Sequence, residues 1–473
     1  MTDESHEIQP AWWQPWRWPW SVWGLVVVVM LALLALLPFA VRATFLSSVP
    51  DMAEPFDEAA FVKDDIPADE NAFTEYRQAL AMTKPFRQGE QGITTRFPNS
   101  YEDEFKQGWE SADKSVRAWL EVHRPTMVVW RLGTEKQRAL DVSPGEMTFA
   151  TTLEASQSLR EFAGLARLDQ LRCLHEGDVD EAGKLARAVY RSGGHASTRG
   201  PLVAGLIGVA LHFVGSEAMA RWAEHPSVTG DQLRIALAQV RADFALYESE
   251  SNLLKSEFLA LRNSSGTRDW VQLIGPVAGG GPLGDGILPE SVVRGLLWVT
   301  GEPELTVRLS RQILTNQLRE IDKPLAERRK LVGAGMAMLF DLDPAARLPG
   351  ELDPAGIDRG LRTSIPSKLL LPATKQVDDS FQRFRGRQAA LEAMLAAQAY
   401  RRDKGEFPES LDQLVPEYLP AVLLDPCDRH GGRILYRRDE LLKATVWSVG
   451  ADGNDNAVED ETRPLADVGY RLK

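Results

Sequence analysis

The sequence predicts a mainly α-helical protein: an N-terminal transmembrane helix, an irregular α-helical domain and a small C-terminal α+β domain. Three observations carry that prediction. An uncharged apolar run occupies residues 18–41. From residue 71 to 341 apolar side chains recur at helical threes and fours, and no strand-rich stretch interrupts them. From residue 378 one long helical stripe is followed by short alternating segments at 434–436 and 445–448. The 473 residues, 44% hydrophobic and 26% charged, are those of a folded chain with room for about three domains. A net charge of −13 argues against bulk nucleic-acid binding, which needs a basic surface to displace counterions. Two cysteines, Cys173 and Cys427, cannot form a disulfide framework in a chain of this length.

Residues 1–17 form a tail and residues 18–42 the membrane helix. Arg17 and Arg42 bound the run, and at 1.5 Å rise per residue it is long enough to cross the hydrocarbon core. Trp12, Trp13, Trp16, Trp18, Trp20 and Trp23 precede or open it. Tryptophan favours the headgroup level, so they read as an aromatic belt. A cleaved signal peptide is the competing reading, with Val41-Arg42-Ala43 as its loose cleavage site. Asp3, Glu4 and Glu7 ahead of the run, and the run's length, favour a retained anchor. Arg17 balances Arg42, so flanking charge does not set orientation. Residues 43–70, rich in Pro, Asp and Glu, read as an acidic spacer.

The helical domain spans 71–341. Asn71, Phe73, Tyr76 and Leu80 start the first helix, and a second is expected over 102–122. A third over 153–174 ends at Gly177-Asp178, and Ala182, Leu185, Ala186 and Val189 begin a fourth. This Gly-Asp-x-x-x-Ala hinge resembles the turn of a tetratricopeptide-like hairpin, for one hairpin only, since no 34-residue period runs through the region. Further helices are expected over 201–224, 231–261, 292–300 and 305–340. His195, after Gly193-Gly194, is expected in a loop between helices, and Glu248-Ser249-Glu250 on a solvated face. Trp109, Trp119, Trp130, Trp222, Trp270 and Trp298 are expected as packing residues. The glycine-rich stretch 263–290 has no Lys-Ser or Lys-Thr after its glycines, so it is no P-loop; a surface arm is expected. Asp-Pro and Pro-Gly pairs over 342–377 predict a linker.

Residues 378–473 carry an ordered set of short motifs. A long helix ends in Ala399-Tyr400; Gly405-Glu406-Phe407-Pro408, Leu411, Leu414, Asp425-Pro426 and Tyr436 follow. Ser448-Val449-Gly450-Ala451-Asp452-Gly453 closes the set. This order resembles the globular domain of the type II secretion system major pseudopilin (protein G) over about a fifth of the chain. The chain departs from that family in placing more than 300 residues between membrane helix and domain, and in lacking the family's leader near residue 20. The resemblance therefore implies a terminal module rather than a fibre subunit.

The resemblance also implies calcium in the loop after Gly-Ala-Asp-Gly. By position, the Val449 carbonyl and the Asp452 carboxylate would be ligands, with Glu459 or Asp460 as the downstream acid. Asp455 adds a further carboxylate, and no base lies between Ala451 and Thr462. Hard oxygens of this kind are what calcium takes. A weak calcium site fills only outside the cytoplasm. The expected placement is thus the cytoplasmic membrane of a bacterial envelope, single-pass, with the C-terminal bulk on the periplasmic side. The expected role is a non-enzymatic scaffold whose partners are the bilayer, through residues 18–42, and unidentified proteins, with no nucleic acid. Two alternatives are a component of a type II secretion-like apparatus, and an envelope enzyme with a pocket near residues 193–197 or the glycine-rich arm. No zinc-protease or serine-hydrolase motif and no paired histidines at helical spacing accompany them.

Overall fold

The computed structural model describes residues 20–63, 66–84, 86–88, 93–95, 108–265, 290–332, 337–364, 374–455 and 468–473. Helix α1 (Trp20–Ser47) is the apolar run, extended by six residues past Val41, and none of its residues is buried. Pro38 sits inside it. The short α2 (Glu58–Val62) follows, capped by Asp57. Three acidic residues of the expected spacer are engaged by the body: Arg311 holds Asp51 at 2.5 Å and Glu54 at 2.8 Å, and Arg262 holds Glu58 at 2.5 Å.

Polar caps decide where the next helices begin. Asn71 accepts from the Phe73 amide and starts α3 (Ala72–Met82). A small antiparallel pair, β1 (Phe86–Gln88) and β2 (Ile93–Thr95), comes next. Of the helix expected over 102–122, residues 102–107 lie outside the described residues, and the described helix begins after Asp113, whose carboxylate accepts from the Ser115 amide at 2.7 Å. It runs through Pro125 as α4 (Lys114–Glu135). Helix α5 (Glu154–Glu176) ends at Gly177 in the left-handed region (φ +81°), where only glycine is free of strain. Asp178 then caps α6 (Val179–Ser197), so the predicted hinge is a real helix boundary.

Helix α6 does not stop at Gly193-Gly194. It continues through His195 to Ser197, where Gly193 lets α6 lie against α7 (Leu202–Glu224) and Gly194 admits Leu246. A Cβ on Gly208 would stand 2.6 Å from the Gly193 carbonyl, and one on Gly215 would stand 2.7 Å from Tyr190 backbone. The loop expected for His195 is thus helix. The helix expected over 231–261 is two, α8 (Gly230–Phe244) and α9 (Glu250–Ser264), separated where Ser249 caps the second. Glu250, expected on a solvated face, is buried. Helix α10 (Glu290–Val299) precedes α11 (Glu304–Leu318), which ends well before the expected residue 340. Within the expected linker, Asp353 caps and Pro354 opens α12 (Pro354–Thr363), because Asp-Pro suits a helix N-terminus as well as a turn.

The long helix α13 (Thr374–Lys404) packs on two sides. One meets α7 and α8; the other meets the sheet formed by β3 (Leu435–Glu440), β4 (Lys443–Ser448) and β5 (Val468–Leu472). The sheet is antiparallel in the order β3-β4-β5, with Leu435 opposite Trp447 and Val446 opposite Tyr470. One buried cluster consequently runs from Phe73 and Trp130 through Tyr190 and Leu211 to Leu391, Val446 and Tyr470. Trp109, Trp119, Trp130 and Trp222 belong to it, as expected of packing residues. Trp298 does not: it is 41% exposed. Trp270 lies outside the described residues. Cys173 and Cys427 are both free and buried.

Candidate functional site

The acidic turn singled out above follows directly from β4. Its organiser is Asp425, a buried carboxylate that sequence reading placed in a motif but not in the site. Asp425 accepts from the Ser448 hydroxyl at 2.7 Å, the Val449 amide at 2.8 Å and the Cys427 amide at 2.9 Å. Three donors on one buried carboxylate fix the end of β4 against the Asp-Pro turn. Gly450 and Gly453 both take φ +71°, which lets the chain reverse, and the Gly453 amide donates to the Gly450 carbonyl at 3.2 Å.

Val449 is buried at the root of this turn, and Asp452 and Asp455 are exposed on it. Asp452 accepts from the Asn454 amide at 3.0 Å, and Asp455 from the Trp447 indole at 3.0 Å. Glu459 and Asp460 lie outside the described residues. The donor chemistry suits a hard cation, but two carboxylates and one carbonyl position are fewer than the six or more oxygens calcium takes. Among the described residues, no group of three or more His, Cys, Asp or Glu side chains is arranged to hold a metal ion.

A second polar feature lies on α6, where Arg187, Arg191 and His195 follow one another at four-residue steps along one face. The Asp243 carboxylate on α8 receives Arg187 Nε at 2.6 Å and also pairs with Arg191. Arg191 further donates to the Thr134 carbonyl at 2.5 Å and the Lys136 carbonyl at 2.8 Å, so a cation stands at the C-terminus of α4. His195 Nε2 faces the Lys136 carbonyl at 3.0 Å and must carry its proton there. Nδ1 is then the acceptor for the Tyr76 hydroxyl at 2.6 Å.

Two clefts flank this stripe. One of about 310 Å³ has Arg131, Lys184 and Arg187 in its wall; the other, of about 270 Å³, has His195, Arg199 and Glu248. Burial, with help from the Arg191 charge, pushes the His195 pKa down to about 3. Burial likewise raises that of Tyr76 well above the usual range. Neither group exchanges a proton near neutrality, so the pair acts as a fixed strut between α3, α6 and the end of α4. Arginine and histidine at steps of four on one helix are a signal the sequence does contain. The glycine pair, taken for a helix end, hid it.

No family model, curated protein or solved structure matches the chain.

Proposed function

We propose that this protein is a non-enzymatic scaffold of a bacterial envelope, held in the cytoplasmic membrane by α1 with its body on the periplasmic side. The observation that carries the reading is an apolar helix of 28 residues with no buried residue, attached to a body that has its own continuous core. Such a surface is costly in water and is covered by a bilayer at no loss of internal packing. A role in holding partners is consistent with the buried polar groups of α6, which lock helices together rather than converge on a reacting atom.

In this reading α5 and α6 form a tetratricopeptide-like hairpin, and 378–473 is a pseudopilin-like module. Support for the module is its element order: a long helix, a short 3-10 turn at Leu411–Leu414, and a small antiparallel sheet. Val449, Asp452 and Asp455, with Glu459 or Asp460, are its proposed calcium ligands. Alkaline washing of membranes tests the anchor: the full chain should stay in the pellet, and its release would overturn the reading. Calcium is tested by melting the full chain with millimolar calcium or with chelator. A cation bound only by the folded state must raise the midpoint, and Asp452→Asn should abolish the rise. No rise in the parent chain would remove calcium from the proposal. Crosslinking in intact cells that captured no envelope protein would count against the scaffold.

A further inference from the structure

The junction of α1 with the body is packed and hydrogen-bonded. Leu46 and Val49 pack with Leu305 and Leu309 of α11, and Arg308 donates to the Leu46 and Val49 carbonyls at 3.2 Å each. Arg42, the first charge after the apolar run, donates to the Trp298 carbonyl at 2.7 Å and to Glu304 at 2.8 Å. Its guanidinium lies 5.2 Å over the Trp298 ring. Phe39 meets the same ring edge-on at 5.1 Å. Helix α10 is therefore held at the level of Phe39 and Arg42, where α1 leaves the apolar run.

Leu297 turns toward the body and packs on Leu261, as do Phe149 and Val307. Val292 and Leu296 lie one turn apart on a different stripe and are 43% and 54% exposed; Trp298 is 41% exposed. Trp298, two residues on from Leu296 and so on another side of α10, faces Phe39 and sets α10 beside the uncovered surface of α1. Tryptophan beside an arginine at the end of an apolar span is the composition of a headgroup-level anchor.

We propose that α10 is a second membrane contact, an amphipathic helix that lies in the leaflet where α1 ends and inserts Val292 and Leu296 among the lipids, with Trp298 at its junction to α1. It rests on the reading of α1 as a retained span. The body is thereby held against the bilayer by two points at a fixed angle, rather than hanging from one helix. A short helix with one apolar face and a tryptophan gains little from the surface alone, but α1 makes its encounter intramolecular.

The test uses the full chain in lipid vesicles, with a fluorescent thiol probe at single positions: Leu34→Cys, Val292→Cys, Leu296→Cys and Ile235→Cys. Cys173 and Cys427 are buried, and burial pushes both thiols up to about 12, so they label slowly near neutrality. Lipids spin-labelled along the acyl chain should quench the probes at 34, 292 and 296, lipids spin-labelled near the headgroup should quench 292 and 296 more than 34, and both should leave 235 unquenched. Quenching at 34 but not at 292 or 296 would overturn the inference while leaving the span intact. Loss of quenching at 34 as well would overturn the span itself. Protection at 292 and 296 that disappears on dilution to one chain per vesicle would assign the face to a second copy and overturn the lipid contact.

Discussion

Among the described residues two helices are long and apolar enough to cross a membrane, α1 and α7. They end in opposite environments. None of the 28 residues of α1 is buried, whereas 13 of the 23 in α7 are. The contrast follows from the side chains each places among the apolar ones. Helix α7 carries Gly208 and Gly215, which admit the α6 backbone, and His212, which faces Gln388 of α13 at 3.2 Å inside a ring of aromatics that includes Phe384 at 4.6 Å. Between Leu25 and Leu37, α1 offers valine, leucine, methionine and alanine, with no glycine and no polar side chain. An apolar helix that is shaped goes inside, and one that is merely apolar is left for lipid.

The strongest way to break this comparison is to fill the notch. Gly215→Leu should cost about 5 kcal/mol, the lower bound of a domain's stability, and abolish cooperative melting. The atoms nearest the new Cβ are Tyr190 backbone and cannot move cheaply. Gly24→Leu in α1 should leave the midpoint unchanged, since nothing lies within 4 Å of that Cβ. A surviving transition in the α7 variant would mean that the close approach of α6 and α7 is dispensable.

Truncation should separate the helices next. Leu211→Ala, at a position 1% exposed, should cost about 3 kcal/mol through lost burial and the cavity left behind. Leu33→Ala, at a position 59% exposed, should stay within about 0.5 kcal/mol in the same thermal melt. Equal losses would show that α1 is covered by protein after all.

Acid sharpens the contrast further. Burial, reinforced by the Arg387 charge, pushes the His212 pKa down to about 3 from the ordinary 6.5. The unfolded chain takes up a proton below 6.5 that the folded chain refuses. The contribution of His212 is therefore complete above pH 6.5 and falls away as pH drops from 6.5 toward 3. By pH 5 the loss is about 2 kcal/mol, and His195 adds a similar amount. The gap in stability between the parent chain and His212→Leu should accordingly narrow by about 2 kcal/mol from pH 7 to pH 5. A constant gap across that range would mean that His212 is solvated in the folded protein.

The smallest expected effect concerns the cap that starts α6. Asp178→Ala should cost about 1 kcal/mol, as the Glu181 amide loses its acceptor at 3.1 Å. A change within error would place the α5–α6 boundary under Gly177 alone.

Much of the fold is legible from short stretches. Asn71, Asp178 and Gly177 announce helix ends because caps act within four residues. Periodicity shows that residues 231–261 are helical, yet not that Ser249 divides them, since the apolar stripe runs on across the break. Gly193-Gly194 reads as a break and is a contact. The candidate site divides the same way. Asp452 and Asp455 stand out as acids in a turn, while Asp425 earns its place only through donors 23 and 24 residues away. The Arg187–Arg191–His195 stripe takes its meaning from carbonyls more than 50 residues off.

The sequence by itself determined that residues 18–41 are apolar without charge, that the body is helical, and that a long helix precedes a small sheet. These are properties of composition, period and caps, which act locally. Only the tertiary structure decided which apolar faces are covered: α7 inside, α1 outside, Val292 and Leu296 left open. It also decided that α13 serves the helical body on one side and the sheet on the other. Burial is a relation between segments far apart in the chain, and no local pattern encodes the partner.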